Sequence, residues 1–264
     1  MTWFAAYLAT GAFVGFLAGL LGIGGGMTLV PILAALFSAQ HFAPDHIVHL
    51  SLGTAMASVV FTSTSSVREH IKLGSVDFAI VRRMAPSMVA GTLLSTLAAG
   101  WIAQRHLAMA FALIVCGGAT QILLNKKPKP GRTLPGALPL FSFGAVVGII
   151  SGLVSAGGAF LTMPFMLLCG VPVRTAIGTG AALGIPVAII GTVGYVASGW
   201  NLPGLPAWSV GFVNLVALSG LVLTSVVMAP YGARAAHRVP VLVLKRIFAG
   251  CLYLVAAKIL FSFW

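Results

Sequence analysis

Acidic side chains are almost missing from this chain: Asp45, Glu69 and Asp77 are its three carboxylates in 264 residues, against 15 lysines and arginines. Charged residues make up 7% of the sequence, where a soluble domain carries about 25%. The mixed-charge surface of a water-soluble protein is excluded, and no carboxylate lies deep in an apolar segment to carry a proton relay. Cysteine is scarce too. Cys116, Cys169 and Cys251 lie within or at the end of apolar stretches and form no C-x-x-C pair, so they read as packing thiols and not as a metal or redox framework. No histidine or acid stands in the spans beside a nucleophile, as a membrane-embedded hydrolase or transferase would need. Neither an enzyme nor a metal or cofactor is therefore expected. The opening MTWFAAYLATG has no basic leader region and no cleavage pattern, so the first apolar segment is expected to remain in the protein.

What the chain has in abundance is apolar sequence: 59% of its residues are hydrophobic and the mean hydropathy is +1.07. Apolar stretches cover 3–22, 27–38, 50–66, 79–103, 107–124, 138–156, 159–170, 176–197, 208–229 and 241–264. Several reach the roughly 20 residues of a spanning helix, whereas 27–38 and 159–170 are too short. Backbone groups cannot stay unpaired in lipid, so the spans must be helices. The expectation is an all-α polytopic membrane protein with the lipid bilayer around it. The net charge of +12 sits in short loops and reads as topology rather than nucleic-acid binding.

One feature occurs twice. Gly11 to Pro31 reads GAFVGFLAGLLGIGGGMTLVP and Gly144 to Pro164 reads GAVVGIISGLVSAGGAFLTMP, with nine identities at a constant offset of 133 residues. A duplicated, glycine-broken membrane helix points to a transporter's binding site. Gly11, Gly15 and Gly19, like Gly144, Gly148 and Gly152, are spaced by four and form faces for close helix packing. The consecutive glycines differ, because they cost helix stability without improving an interface. Pro31 and Pro164 fall within the short helices and limit or kink them.

Basic residues decide how these segments cross. If each broken segment spans once, the positive groups fall on both faces, against the inside-positive rule. If each goes in and turns back, every lysine and arginine except Arg105 and Lys258 comes to one face. Each half then has an odd number of crossings, and the halves are inverted. The loop holding Arg68, Lys72, Arg82 and Arg83 has an uncharged counterpart at 197–207. The expected organisation is a first membrane repeat at 1–124, a cytoplasmic Pro/Lys-rich linker at 125–137 and a second repeat at 138–264. Each repeat has a broken helix with a short return helix and then three spanning helices. Both termini face outside.

The segments GLLGIGGGMTLVPIL and GLVSAGGAFLTMPFML, each followed by a Gly-Thr pair in LGTAMAS (Leu52 to Ser58) and IGTGAAL (Ile177 to Leu183), resemble the sulfite exporter TauE/SafE family of membrane permeases. The resemblance covers nearly the whole chain. It implies secondary transport of a small anion across the bacterial inner membrane, with sulfite, thiosulfate and organosulfonates such as sulfoacetate as substrates. Export, its coupling to protons and the oligomeric state are left open, a homodimer among the alternatives, and the alternative function is channel-like facilitation of another small anion. The second copy departs from the first at Ser155, which stands for Gly22, and at Ala159, which stands for Gly26.

A short helix starting inside the membrane presents unpaired N–H groups and the positive end of its dipole, a ready anion site. The expected binding residues are Gly24, Gly25, Gly26, Met27 and Thr28 at the first break and Gly157, Gly158, Ala159, Phe160 and Leu161 at the second. Thr28, Ser155 and Thr162 add hydroxyls, as do Thr54, Ser58 and Thr179 from the following helices. Arg68 and Arg174 are candidates for a vestibule that attracts the anion. The run Thr62 to Ser66 reads either as a water-facing helix end or as part of that vestibule. Lys258 is expected to reach for the interface, and His41, Asp45, His46 and His49 are expected in an exposed loop.

Overall fold

The computed structural model of the chain describes residues 2–22, 25–124 and 134–236, together with positions 238, 240, 250 and 253. Nine α-helices are present among the described residues: α1 (Thr2–Leu21), α2 (Gly26–Ala39), α3 (Ile47–Lys72), α4 (Phe78–Ala99), α5 (Gln104–Leu124), α6 (Ala137–Val154), α7 (Ala159–Leu168), α8 (Val173–Ser198) and α9 (Leu215–Ala236). Five segments among the described residues are long and apolar enough to cross a membrane: Trp3–Leu21, Pro44–Lys72, Ala137–Val154, Val173–Ser198 and Leu215–Ala236. The protein is an all-α polytopic membrane protein. Residues 125–133 of the expected linker, and the apolar stretch 241–264 apart from positions 250 and 253, lie outside the described residues. Cys251 and Lys258 are among them.

Both short helices turn back along the helix before them. Gln40, which follows α2, donates to the Tyr7 hydroxyl near the start of α1 at 2.7 Å. In the second half Phe143, early in α6, stacks on Phe165, late in α7, at 4.0 Å between ring centroids. Pro31 and Pro164 sit inside α2 and α7.

The spaced glycines let backbones touch. Gly11, Gly15 and Gly19 of α1 lie against Leu221, Ser225 and Ala229 of α9, and Gly144, Gly148 and Gly152 of α6 lie against Ser87, Met88 and Ser95 of α4. Both registers ascend together, so each pair is parallel. The α3–α8 pair descends: Met56 meets Gly191 and Ser63 meets Gly184, so these two helices are antiparallel. Thr62 of α3 donates to the Ser225 hydroxyl at 3.0 Å and Ser65 to the Val226 carbonyl at 2.7 Å, which fastens α3 to α9. One core joins the halves, with Met27, Phe37, Leu52 and Met56 in the same cluster as Val154, Phe160, Tyr195 and Leu221.

Three sequence expectations change. The apolar run 208–229 is not one helix: after left-handed Trp208, Ser209–Val210 pairs antiparallel with Val213–Asn214 around a turn that begins at left-handed Gly211. Asn214 Oδ1 then accepts the Ala217 amide at 2.9 Å and starts α9. Thr62, Ser63 and Ser66 do not face water; each is buried, because α8 and α9 cover that part of α3. His49 is not a loop residue. It is buried in α3, with Nε2 3.0 Å from the Ala99 carbonyl and its ring stacked on Phe212.

Candidate functional site at the two helix breaks

The chain leaves α1 at Leu21 through left-handed Gly22 (φ 67°) and enters α2 from left-handed Gly25 (φ 76°). It leaves α6 through left-handed Ser155 (φ 50°) and enters α7 from left-handed Gly158 (φ 78°). A side chain is disfavoured in this conformation, which accounts for glycine at both helix starts. Ser155 takes the same turn as Gly22, and its hydroxyl is anchored on the Leu52 carbonyl at 2.7 Å. The substitution therefore keeps the turn.

The breaks meet in the middle of the fold. Gly26 lies so close to the Ser155 carbonyl that a Cβ would collide with it. Val59 of α3 touches both, since a Cβ built on Gly26 would be 3.2 Å from one of its methyls and one built on Gly157 would be 3.4 Å from the other. Gly25, Gly26, Met27, Thr28, Ser155, Gly157, Gly158, Ala159, Phe160 and Thr162 are all buried. Gly24 lies outside the described residues.

Hydrogen bonding separates these groups. The Thr28 hydroxyl donates to the Gly25 carbonyl and the Thr162 hydroxyl to the Gly158 carbonyl, each at 3.1 Å, so both protons close their own helix's first turn. The Gly158 amide turns onto the Ala156 carbonyl, and the Leu161 amide bonds Gly158 at 3.3 Å. The amides of Gly26, Met27 and Thr28, and those of Ala159 and Phe160, belong to first turns and have no carbonyl of their own helix to meet.

The Gly-Thr pairs form a reciprocal clamp. The Thr54 hydroxyl accepts the Asn214 amide at 3.0 Å, and the Thr179 hydroxyl accepts the Asp77 amide at 2.9 Å. Gly53 makes room for the Phe212 carbonyl and Gly178 for the Ser75 carbonyl. Asn214 and Asp77 cap α9 and α4, Asp77 through bonds from the Ala79 and Ile80 amides at 2.9 and 3.2 Å. Each half thus grips the loop that starts a helix of the other. Ser58 is buried beside Val59 on α3.

Arg68 and Arg174 are exposed, near the end of α3 and the start of α8, away from the breaks. Glu69 is buried near the end of α3, with Oε1 2.8 Å from Arg234 Nε of α9 and Oε2 3.7 Å from Lys72 Nζ. Among the described residues no group of three or more His, Cys, Asp or Glu is placed to hold a metal.

Two serines stand beside the second break: Ser151, which sequence reasoning passed over, and Ser63, which it read only as part of the Thr62 to Ser66 run. The hydroxyls of Ser63 and Ser151 are buried and have no hydrogen-bond partner among the described residues. Ser151 corresponds to Ala18 at the repeat offset, and this departure was the signal available in the sequence.

A family model described as Sulfite exporter TauE/SafE matches residues 7–259. The chain belongs to the TauE/SafE family. A probable membrane transporter protein of Haemophilus influenzae is 35% identical over 94% of this chain and 95% of its own length. Probable membrane transporter proteins of Bacillus subtilis (YdhB) and Methanocaldococcus jannaschii are 26% and 25% identical, over 88% and 79% of this chain and 90% and 77% of theirs. No solved structure matches.

Proposed function

We propose that this protein is a secondary transporter of small sulfur-containing anions such as sulfite, thiosulfate or organosulfonates, which it binds at the starts of α2 and α7. The meeting of the two breaks at Gly26 and Ser155 carries the reading, because it brings two helix N-termini to one buried place. Backbone amides there hold the anion, and the consecutive glycines let it approach. Thr54 and Thr179 hold the surrounding helix starts in position, and Arg68 and Arg174 draw anions to the mouth.

In this reading the repeats 1–124 and 138–264, joined by the linker 125–137, are inverted, and alternating access moves one against the other. Antiparallel α3 and α8, which occupy corresponding places in the two halves, support that arrangement. The protein lies in the bacterial inner membrane with its termini outside and the basic loops in the cytoplasm.

Proteoliposomes loaded with sulfite, thiosulfate or sulfoacetate test the function. Release of at least one anion above empty liposomes is the expected result, and no movement of any anion in the panel would refute it.

A further inference from the structure

The two breaks have the same backbone and different surroundings. At the first, the Ser155 carbonyl packs against the Cα of Gly26, where a side chain would otherwise stand. Gly25 beside it is lined by side chains without polar atoms, a Cβ there lying 2.6 Å from Val14 Cγ1 and 3.1 Å from Ala18 Cβ. No side-chain hydroxyl lines that glycine to share an anion with the free amides of the first turn.

At the second break hydroxyls replace that lining. Ser151 is 0% exposed, and its Oγ would be 3.3 Å from a Cβ on Gly158. Ser63 is 1% exposed on α3, and its Oγ would be 3.3 Å from a Cβ on Gly184. Gly184 in turn brings its Cα to 3.1 Å from a Cβ on Gly157, so Ser63 reaches the same turn from the opposite helix. Neither hydroxyl has a partner among the described residues. A buried polar group left unpaired is a standing cost, and native folds keep few of them. Two such groups, brought by α3 and α6 to the start of a ten-residue helix, fit a ligand that accepts hydrogen bonds on more than one side.

We propose that the anion is held at the second break alone, where the hydroxyls of Ser151 and Ser63 donate to it together with the amides of Ala159 and Phe160. The first break is its packed counterpart. This rests on the anion-transport reading and narrows it from two half-sites to one. The ligand class is a compact oxyanion with several acceptor oxygens, bound by neutral donors and a helix dipole.

The experiment measures flux in proteoliposomes as a function of concentration, for the anion that wild type moves best. It compares wild type with Ser151→Ala, Ser63→Ala, Ala18→Ser and Ser87→Ala. Loss of either donor is expected to raise the half-saturating concentration about tenfold or more, the effect of a hydrogen bond to a charged group. Ala18→Ser, which places a hydroxyl beside the first break, and Ser87→Ala, which removes a buried hydroxyl elsewhere, are expected to stay within about twofold of wild type, since neither group touches the anion. Thermal unfolding without anion gives a readout that a purely structural serine would move: Ser151→Ala and Ser63→Ala are expected to unfold no earlier than wild type, because each removes an unpaired group.

Wild-type affinity in both serine variants, with wild-type flux intact, would overturn this proposal and leave the transport reading standing. Tighter binding in Ala18→Ser would overturn the restriction to one break. Early unfolding of both serine variants without anion would mean that the hydroxyls serve the fold, and would also overturn the proposal. If wild type moves no anion, both readings fall together.

Discussion

The backbone of Gly26 rests against the carbonyl of Ser155, so the first residue of α2 in one half touches the turn that precedes α7 in the other. Any side chain at position 26 must push one break away from the other. Gly26→Ala is expected to destabilise the protein by about 1–3 kcal/mol, the usual cost of overpacking. Lower thermal stability in detergent and reduced flux would register it together. An unchanged unfolding midpoint would mean that the breaks are not in contact.

The clamps made by Thr54 and Thr179 each remove one unpaired amide from the start of a helix. Valine keeps the shape and loses the acceptor, so Thr54→Val or Thr179→Val is expected to cost about 1–3 kcal/mol, the penalty of stranding a buried donor. The clamps share no partner, so the double variant should show the sum of the two losses. Unfolding midpoints of the four proteins provide the check, and a Thr54→Val protein as stable as wild type would contradict the assignment.

Glu69 and Arg234 tie the end of α3 to the end of α9. Glu69→Arg sets like charges against Arg234 and Lys72 and is expected to lower both stability and flux. Adding Arg234→Glu should recover part of the loss by restoring an opposite pair. Equal behaviour of the single and double variants would show that the pair contributes nothing.

The uncharged turn after α8 carries exposed Trp200. In the inverted arrangement this turn faces outside. A cysteine-free protein with Trp200→Cys should react in whole cells with a maleimide that cannot cross the membrane. Protection in whole cells with labelling in inside-out vesicles would reverse the orientation.

Some of this was legible in the sequence. Consecutive glycines between an apolar stretch of spanning length and one too short to cross marked the breaks, and the structure places Gly25 and Gly158 at the helix starts in the backbone conformation glycine serves. The four-residue glycine spacing told which faces would pack, as Gly15 against Ser225 shows. The Gly-Thr pairs were visible, yet their clamp was not, because Thr54 and Asn214 are 160 residues apart. Hydropathy merged the Trp208 to Asn214 hairpin with α9, since a window average does not register backbone turns. Thr62 to Ser66 read as a water-facing end or a vestibule, but burial of Thr62, Ser63 and Ser66 depends on the α8 and α9 surfaces packed against α3. Ser151 was one serine in an apolar helix, marked only by Ala18 at the matching place in the other half.

Gly158 offers the most direct measurement of whether the anion is handled at these breaks. A leucine there would have to adopt φ 78° and would strike Met88 and crowd Ser151. Flux of the best-transported anion through wild type and Gly158→Leu should be compared at equal amounts of inserted protein. Transport by wild type and none by Gly158→Leu is the expected result. Equal flux through both would contradict the account.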